Sequence, residues 1–315
     1  MVNLYIDRIA PVCYTVRTKD QSGGIMLYLI AISVLAFALN GSCTRFFQLN
    51  FTEQKRYLPL YQSLFCLIAS FAFLACAAHT LPPIADTFFY GIVGGVLFFG
   101  ASFFSAKAMD SGSMALSSII TNMSLILPLL YSVLLLNEEF TLLHLIGGLL
   151  LVCTFILSAS GAQQKNGGGI LWLICVLLAF LTNGSNAVVT KHYVLQAPIP
   201  QNNLFMAITY LTASVAFLVN FLVGLRHNRA APQSTAYFAK LVLLSAVAAA
   251  GTFGGNLLLT YLSDKVNGAI LYPCVNGGLC LLLTVASCVF FHERLTRRKL
   301  ATILLGCSAI IILNL

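Results

Sequence analysis

The chain has 315 residues, of which 59% are hydrophobic and 8% are charged. A soluble domain carries about 25% charged residues, so this composition excludes an ordinary soluble protein and favours a bilayer, where lipid tails solvate apolar side chains. The net charge of +8 comes from basic residues in short loops. Such loops are typical of topology signals at an anionic lipid surface rather than of a nucleic-acid site.

Residues 1–24 form a polar tail, and ten apolar segments follow it. Each segment has about 18–25 residues, enough to cross a hydrocarbon core of about 30 Å as a helix. In chain order the segments, numbered 1 to 10, lie at about 25–46, 58–78, 84–106, 113–136, 141–160, 168–190, 201–224, 238–262, 267–291 and 298–315. Most connections are very short, so neighbouring helices must pack antiparallel. The sequence therefore predicts an all-α integral membrane protein with ten transmembrane helices.

Four short matches recur in the same order in the two halves of the chain. Asn40-Gly41-Ser42 matches Asn183-Gly184-Ser185, Phe99-Gly100 matches Phe253-Gly254, Asp110 matches Asp264, and Glu138 with Thr141 matches Glu293 with Thr296. Each match joins segments that are five apart, which indicates an internal duplication. The predicted units are a first five-helix repeat at 25–160 and a second at 168–315.

The odd number of crossings in each unit predicts that the two copies are inverted. A five-crossing unit ends on the side of the membrane opposite to its start, so the second copy enters the bilayer upside down. Inverted repeats are typical of secondary transporters, because the two halves can pack in two equivalent ways. The loop at 137–139 has no Lys or Arg, whereas its counterpart at 292–299 has four. Equivalent loops on opposite faces should differ in this way.

Each half also closes with Glu-x-x-Thr followed by an apolar helix. The first copy reads Glu138-Glu139-Phe140-Thr141 with Gly147 after it, and the second reads Glu293-Arg294-Leu295-Thr296 with Thr302 at the glycine position and Gly306 four residues later. This pattern resembles the EamA-type branch of the drug/metabolite transporter superfamily over 25–315. The resemblance implies ten helices around a central cavity, alternating access and no ATP-binding domain. It also implies that amino acids, other metabolites or drugs are moved, usually outward.

Polar side chains inside the apolar segments are the candidate substrate-binding residues, because such groups are costly at membrane depth. They are Asn40 and Ser42 in segment 1, Asn122 in segment 4, Asn183, Ser185 and Asn186 in segment 6, Asn256 in segment 8, and Tyr272 and Asn276 in segment 9. Their amides and hydroxyls would line the cavity and bind solute. The alternative is that they hydrogen-bond across helices and hold them together.

Other features predict packing rather than chemistry. The motifs Gly91-x-x-x-Gly95 and Gly251-x-x-x-Gly255 favour close helix approach. Pro128 and Pro273 predict kinks in segments 4 and 9. Lys191 follows the second Asn-Gly-Ser site near a segment end, where we expect its side chain to reach the interface as a topology anchor. The alternative for Lys191, as for Arg45 in the first copy, is contact with a substrate carboxylate.

The sequence contains no cluster of residues typical of a catalytic, cofactor or metal site. Its ten cysteines form no C-x-x-C pair and its five histidines are scattered near segment ends, so we expect neither a cofactor nor a metal site. No acidic residue lies in the middle of a segment, so a buried proton-binding carboxylate is not evident. Paired carboxylates and Ser/His arrangements at membrane depth are also not evident, and an enzyme is not expected.

The expected function is that of a secondary active transporter in the cell membrane. It would export a small neutral or zwitterionic metabolite, amino acid or drug-like compound by alternating access, since few charges are available to clamp phosphates. The alternative is a lipid flippase or a non-transporting scaffold of the same fold. The expected partners are the small-molecule substrate and the lipid bilayer, with a homodimer left open and no nucleic acid.

Orientation is also left open. Twelve of the 17 basic residues lie after odd-numbered segments, so the positive-inside rule places both termini outside. The habit of the family it resembles is to keep both termini in the cytoplasm.

Overall fold

The chain is helical wherever the computed structural model describes a regular element. The structure describes residues 22–50, 57–77, 85–111, 117, 120–121, 123–136, 141–159, 169–196, 201–227, 235–263, 265–290 and 297–313. The helices are α1 Ser22–Asn50, α2 Leu58–Ala77, α3 Ala85–Ser111, α4 Ile126–Leu134, α5 Leu142–Ala159, α6 Ile170–Gln196, α7 Asn202–His227, α8 Thr235–Ser263, α9 Gly268–Phe290 and α10 Arg297–Leu313. A 3₁₀ turn at Met123–Leu125 precedes α4.

Within those described ranges, six helices are long and apolar enough to cross a membrane. The candidate spans are Ile25–Thr44, Leu58–Ala77, Ala85–Ser111, Ile170–Leu195, Asn202–Arg226 and Tyr237–Ser263. The predicted all-helical membrane class is therefore confirmed. The further four crossings, which would be α4, α5, α9 and α10, stay predictions.

Two helix boundaries differ from the sequence prediction in ways that affect function. Helix α6 continues to Gln196, six residues beyond the expected end, so 191–193 are helical instead of lying in a loop. The predicted segment 4 is only partly described, and its described part is the 3₁₀ turn followed by nine residues of α4. At the N-terminal end, α1 begins at Ser22, so the last residues of the expected polar tail are helical.

The helices pack mainly in pairs that join the first half of the sequence to the second. Helix α1 packs on α8, α3 on α6, α2 on α7, and α5 on α10. Further contacts join α3 to α7, α2 to α8, α1 to α9, and α4 to both α6 and α9. The two halves are therefore interleaved and do not form separate bundles.

Glycines let α8 lie directly against the backbone of α1. A Cβ atom added to Gly251 would lie 2.5 Å from the carbonyl oxygen of Ala36, and one added to Gly255 would lie 2.9 Å from the ring of Phe37. The Ser33 hydroxyl uses this proximity to donate to the Gly255 carbonyl at 3.0 Å. The predicted close approach at this G-x-x-x-G motif is confirmed.

The other G-x-x-x-G motif brings α3 against α7. A Cβ atom on Gly91 would lie 2.8 Å from Cβ of Ile208, and one on Gly95 would lie 2.5 Å from the carbonyl oxygen of Thr209. No side chain larger than hydrogen fits at either place unless the helices move apart. The two motifs therefore fix two of the main helix contacts.

We predict that Gly251→Ala destabilises the fold, whereas Gly254→Ala on the same helix does not. A Cβ atom at Gly254 would make only an ordinary contact, 3.8 Å from Cβ of Ala36. Overpacking of this kind costs about 1–3 kcal/mol. Unfolding of the two purified variants in detergent measures the difference, and an equal loss in both would contradict the close α1–α8 contact.

Candidate functional site

Near its end, α6 carries a run of residues that are largely covered by protein. Lys191 and Tyr193 have no exposed surface, Thr190 is 9% exposed, and His192 is half-buried. Successive residues of a helix point about 100° apart, so the burial of Thr190, Lys191 and Tyr193 places protein on several sides of this helix end, while His192 keeps some exposed surface. This run, Thr190 to Tyr193, is called the α6 junction below.

Tyr193 joins the junction to α3 and α7. Its hydroxyl lies 3.0 Å from the Thr87 hydroxyl and accepts a bond of 2.8 Å from the backbone N–H of Gln201. The Thr87 hydroxyl also donates to the Gln201 side-chain oxygen at 3.3 Å. Phe205 stacks on the Tyr193 ring with centroids 4.4 Å apart. The starts of α3 and α7 are thereby held against the end of α6.

His192 lies between two tyrosines. Its Nδ1 is 2.7 Å from the Tyr131 hydroxyl of α4, and its Nε2 is 3.2 Å from the Tyr90 hydroxyl of α3. A neutral imidazole has one donor and one acceptor nitrogen, so one tyrosine donates to the ring and the other accepts from it. The resulting chain Tyr90–His192–Tyr131 spans three helices.

Lys191 joins the junction to α4 and α9. Its ammonium group donates to the Ser132 hydroxyl at 3.0 Å. A Cβ atom on Gly268, the first residue of α9, would overlap the Ser132 oxygen and lie 2.6 Å from the Lys191 nitrogen. The expectation that Lys191 snorkels to the interface is therefore wrong, because neighbouring helices cover its side chain completely.

The predicted residue Asn183 contacts the broken start of α4. Its amide donates to the Ser124 hydroxyl at 2.7 Å and, more weakly, to the Thr121 carbonyl at 3.5 Å. A Cβ atom on Gly184 would lie 2.6 Å from the Ser124 carbonyl oxygen. That carbonyl is four residues before Pro128, which has no N–H to donate to it. The irregularity expected at Pro128 is thus a 3₁₀ turn just before the proline. This turn packs against Asn183 and Gly184 of α6.

Asn40, the repeat counterpart of Asn183, contacts α8. Its amide donates to the Thr252 hydroxyl at 2.7 Å, and its amide oxygen accepts from Thr44 at 3.3 Å. The amide of Asn256 donates to the Thr252 carbonyl at 2.9 Å and also bonds with the Tyr210 hydroxyl. Asn40 and Asn256 therefore meet at Thr252.

The remaining candidates lie mostly near α6. The Tyr272 hydroxyl of α9 donates to the Ala187 carbonyl of α6 at 3.4 Å, and the Asn276 amide donates to the Tyr272 carbonyl of its own helix at 2.9 Å. The Asn186 side-chain oxygen faces α3, where it lies 3.8 Å from the place of a Cβ on Gly94. Ser42 and Ser185 are half-buried. Asn122 lies outside the described residues.

The candidates thus form two groups on different helices. One group, Asn40 and Asn256, lies between α1 and α8. The other, which includes Asn183, Asn186 and Tyr272, lies around α6. The α6 junction was missed because its polar residues follow the apolar segment, although four polar or aromatic residues in a row after a long helix were a usable signal. Among the described residues, no three His, Cys, Asp or Glu side chains could jointly hold a metal ion.

We predict that Asn183 and Ser124 are energetically coupled. Interhelical hydrogen bonds in membranes contribute about 0.6 kcal/mol on average and up to about 1.7. A double-mutant cycle with Asn183→Ala and Ser124→Ala, read as free energy of unfolding in detergent, should give a coupling in that range. The matched cycle pairs Ser124→Ala with Asn276→Ala, whose amide bonds within α9, and should give none. Equal couplings in the two cycles would contradict the contact.

Comparison with known proteins supports the same fold. Residues 24–160 match the EamA-like transporter family, which lies in the drug/metabolite transporter superfamily, and the resemblance seen in the sequence is confirmed over those residues. For 161–315 it stays a prediction. A solved crystal structure of a protein with 15% sequence identity has a TM-score of 0.65 and covers 92% of this chain and 98% of its own. That likeness shows the fold alone. No curated protein sequence matches the chain.

Proposed function

We propose that this chain, whose residues 24–160 carry the EamA-like family match, is a secondary active transporter of the drug/metabolite type. It exports a small neutral or zwitterionic metabolite, amino acid or drug-like compound across the cell membrane by alternating access. Its units are the inverted repeats 25–160 and 168–315. The observation that carries this proposal is that most of the main helix contacts recur when the first five helices are exchanged with the last five.

Most of the main helix contacts are preserved when each helix n is exchanged with helix n + 5. The contact between α9 and α10 has no counterpart of similar size between α4 and α5 among the described residues. The exchange converts α1–α8 into α6–α3, α2–α8 into α7–α3, and α1–α9 into α6–α4, all of which are observed. The pairs α2–α7, α4–α9 and α5–α10 are converted into themselves. Two inverted copies of one five-helix unit would pack in this way.

A reciprocal pair of hydrogen bonds lies where this exchange maps α2 and α7 onto each other. The Ser63 hydroxyl donates to the Ser214 carbonyl at 3.0 Å, and the Ser214 hydroxyl donates to the Ser63 carbonyl at 2.9 Å. Contacts that are the same in both directions are expected at an approximate two-fold axis. The pair therefore supports the arrangement of the two units.

Ten crossings of alternating direction are consistent with the α6 junction. If the chain crosses at every helix, the end of α6 lies on the same side of the membrane as the starts of α3, α7 and α9 and the end of α4. The junction residues contact those helix ends through Thr87, Gln201, Gly268 and Tyr131. The contacts thus support crossings by α4 and α9 in addition to the six candidate spans.

The solute site we propose combines two groups of residues: one along α6, beside the break in α4, and one between α1 and α8 that contains Asn40 and Asn256. Interrupted helices in transporters offer polar backbone groups to the substrate. Around this break the described polar groups are uncharged amides, hydroxyls and carbonyls, which suit a neutral or zwitterionic solute. Nine residues form the proposed set: Asn40, Ser42, Asn122, Asn183, Ser185, Asn186, Asn256, Tyr272 and Asn276.

A thermal-shift screen of the purified protein against amino acids, amines and common drugs tests binding. A compound that binds the folded state raises the melting temperature by mass action. We expect at least one compound to do so, and to exchange across proteoliposome membranes that contain the protein. Phospholipid scrambling without solute exchange would favour the flippase alternative, and neither activity would favour a scaffold.

We predict that Asn183→Ala weakens that binding while the protein still folds and inserts. Loss of one hydrogen bond to a bound solute costs about 0.5–1.5 kcal/mol, which weakens affinity roughly twofold to tenfold. Gly148→Ala is the matched control, because a Cβ atom at Gly148 meets nothing within 4 Å. Unchanged binding and exchange by Asn183→Ala would contradict its place in the site.

A further inference from the structure

The break in α4 contains a buried hydroxyl that has no hydrogen-bond partner among the described residues. Thr121 lies just before the 3₁₀ turn, and its Oγ1 atom is covered by protein but bonds to no group in the described part of the chain. A threonine in a helix commonly donates to the carbonyl one turn earlier, as Thr154, Thr190 and Thr209 do here. A buried polar group without a partner is costly. The Thr121 hydroxyl can therefore bond to a molecule that enters the protein.

The same break leaves a backbone carbonyl without its helical donor. In a regular helix the Ser124 carbonyl would accept from the N–H of residue 128, but Pro128 has no N–H. Gly184 of α6 lies so close to this oxygen that a Cβ atom would be 2.6 Å from it. A contact with Cα–H is weaker than the N–H bond that is lost. The Ser124 carbonyl therefore keeps most of its capacity to accept a hydrogen bond.

Asn183 holds these two residues in place and adds a third acceptor. Its NH₂ group donates to the Ser124 hydroxyl at 2.7 Å and to the Thr121 carbonyl at 3.5 Å. Because a carbonyl can only accept, these bonds fix the orientation of the amide. The amide oxygen makes no hydrogen bond within the described ranges, and the side chain is half-buried. The break thus brings together a hydroxyl, a carbonyl and an amide oxygen, each able to accept.

Three acceptors of this kind suit a primary ammonium group. Such a group carries three N–H donors and no acceptor, and its charge strengthens each bond that it donates. Carbonyls at broken helices hold cations in other transporters. Along α6 the next cationic side chain after Asn183 is Lys191, about 12 Å further along the helix axis, where it donates to Ser132. The Lys191 ammonium group is therefore held away from the break.

We propose that the break in α4 binds the primary ammonium group of the exported solute. The Thr121 hydroxyl, the Ser124 carbonyl and the Asn183 amide oxygen accept its three N–H bonds. A rotation about the Cα–Cβ bond of Thr121 moves its hydroxyl between staggered positions and can present it to the solute. The inference rests on the proposed function, and it narrows the neutral or zwitterionic solutes to zwitterions with a primary amine, such as amino acids.

Methylammonium is a small probe that carries the proposed group. Tetramethylammonium is its matched control, because it has the same charge but no N–H. Melting curves of the purified protein are recorded over a concentration series of each chloride salt, with potassium chloride keeping the ionic strength constant. We expect methylammonium to raise the melting temperature by mass action and tetramethylammonium to have no effect. An equal shift with both salts, or no shift with methylammonium, would overturn the proposal.

Thr121→Val tests the hydroxyl, because it replaces that group with a methyl of similar size. We expect the apparent affinity for methylammonium to fall roughly tenfold, the effect of losing one hydrogen bond to a charged group. Without the salt this variant should melt no lower than wild type, since the hydroxyl it removes has no partner in the described part of the fold. Unchanged affinity, or a lower melting temperature without the salt, would overturn the proposal.

Two further variants separate the hydroxyl from general effects of substitution. Thr121→Ser keeps a hydroxyl at this place and should retain the affinity for methylammonium. Thr154→Val removes a buried hydroxyl that donates within α5 at 2.8 Å, and it should also leave the affinity unchanged. An equal loss of affinity in Thr121→Val and Thr154→Val would overturn the proposal.

The same variants separate this site from the proposed function. Methylammonium binding that depends on Thr121, in a protein that exchanges no solute, would count against the proposed function and support the site. Exchange of amino acids in proteoliposomes that Thr121→Val leaves unchanged would overturn the site and leave the proposed function in place.

Discussion

The structure depends on one constraint: polar groups in the bilayer must find their hydrogen-bond partners inside the protein. Here the partners come largely from the other half of the sequence. Ser33 bonds to α8, Ser63 and Ser70 bond to α7, and Asn40 bonds to α8, each more than 130 residues away along the chain. Lipid gives apolar side chains no reason to associate. These bonds and the glycine contacts therefore select which helices pair.

The same contacts are compatible with the alternating access that we propose. Helix pairs that are equivalent under exchange can in principle separate on one side while their counterparts close on the other. The two ends differ chemically in this chain. The end of α1 is closed by aromatic packing, with Phe47 stacked 4.8 Å from Tyr61, whereas the end of α6 is closed by Lys191, His192 and Tyr193. In the proposed inverted-repeat arrangement, this difference in chemistry would allow a ligand to favour one state.

The sequence predicted what depends on local pattern. Composition gave the membrane class, and glycine spacing gave the close approaches at Gly95 and Gly251. Hydropathy alone did not predict the α6 junction, because it falls at Lys191 and ends the apparent segment there. The helix continues because partners on α3, α4 and α9 satisfy those side chains, and such partners are visible only once the chain has folded. The close approach of Gly184 to the Ser124 carbonyl could not be predicted either, because the two residues meet only in the folded chain. Pro128 did predict an irregularity in this helix.

Alternating access is the central claim, and spin-label distances at both ends of the bundle test it most directly. One label pair joins Leu195 of α6 to Leu134 of α4, and the other joins Phe46 of α1 to Val285 of α9; all four residues are exposed. The two pairs join helices that correspond under the proposed exchange of the two halves, α6 with α4 and α1 with α9. The account predicts two populations in reconstituted protein, such that conditions lengthening the first distance shorten the second. Distances that stay fixed, or that lengthen together, would contradict it.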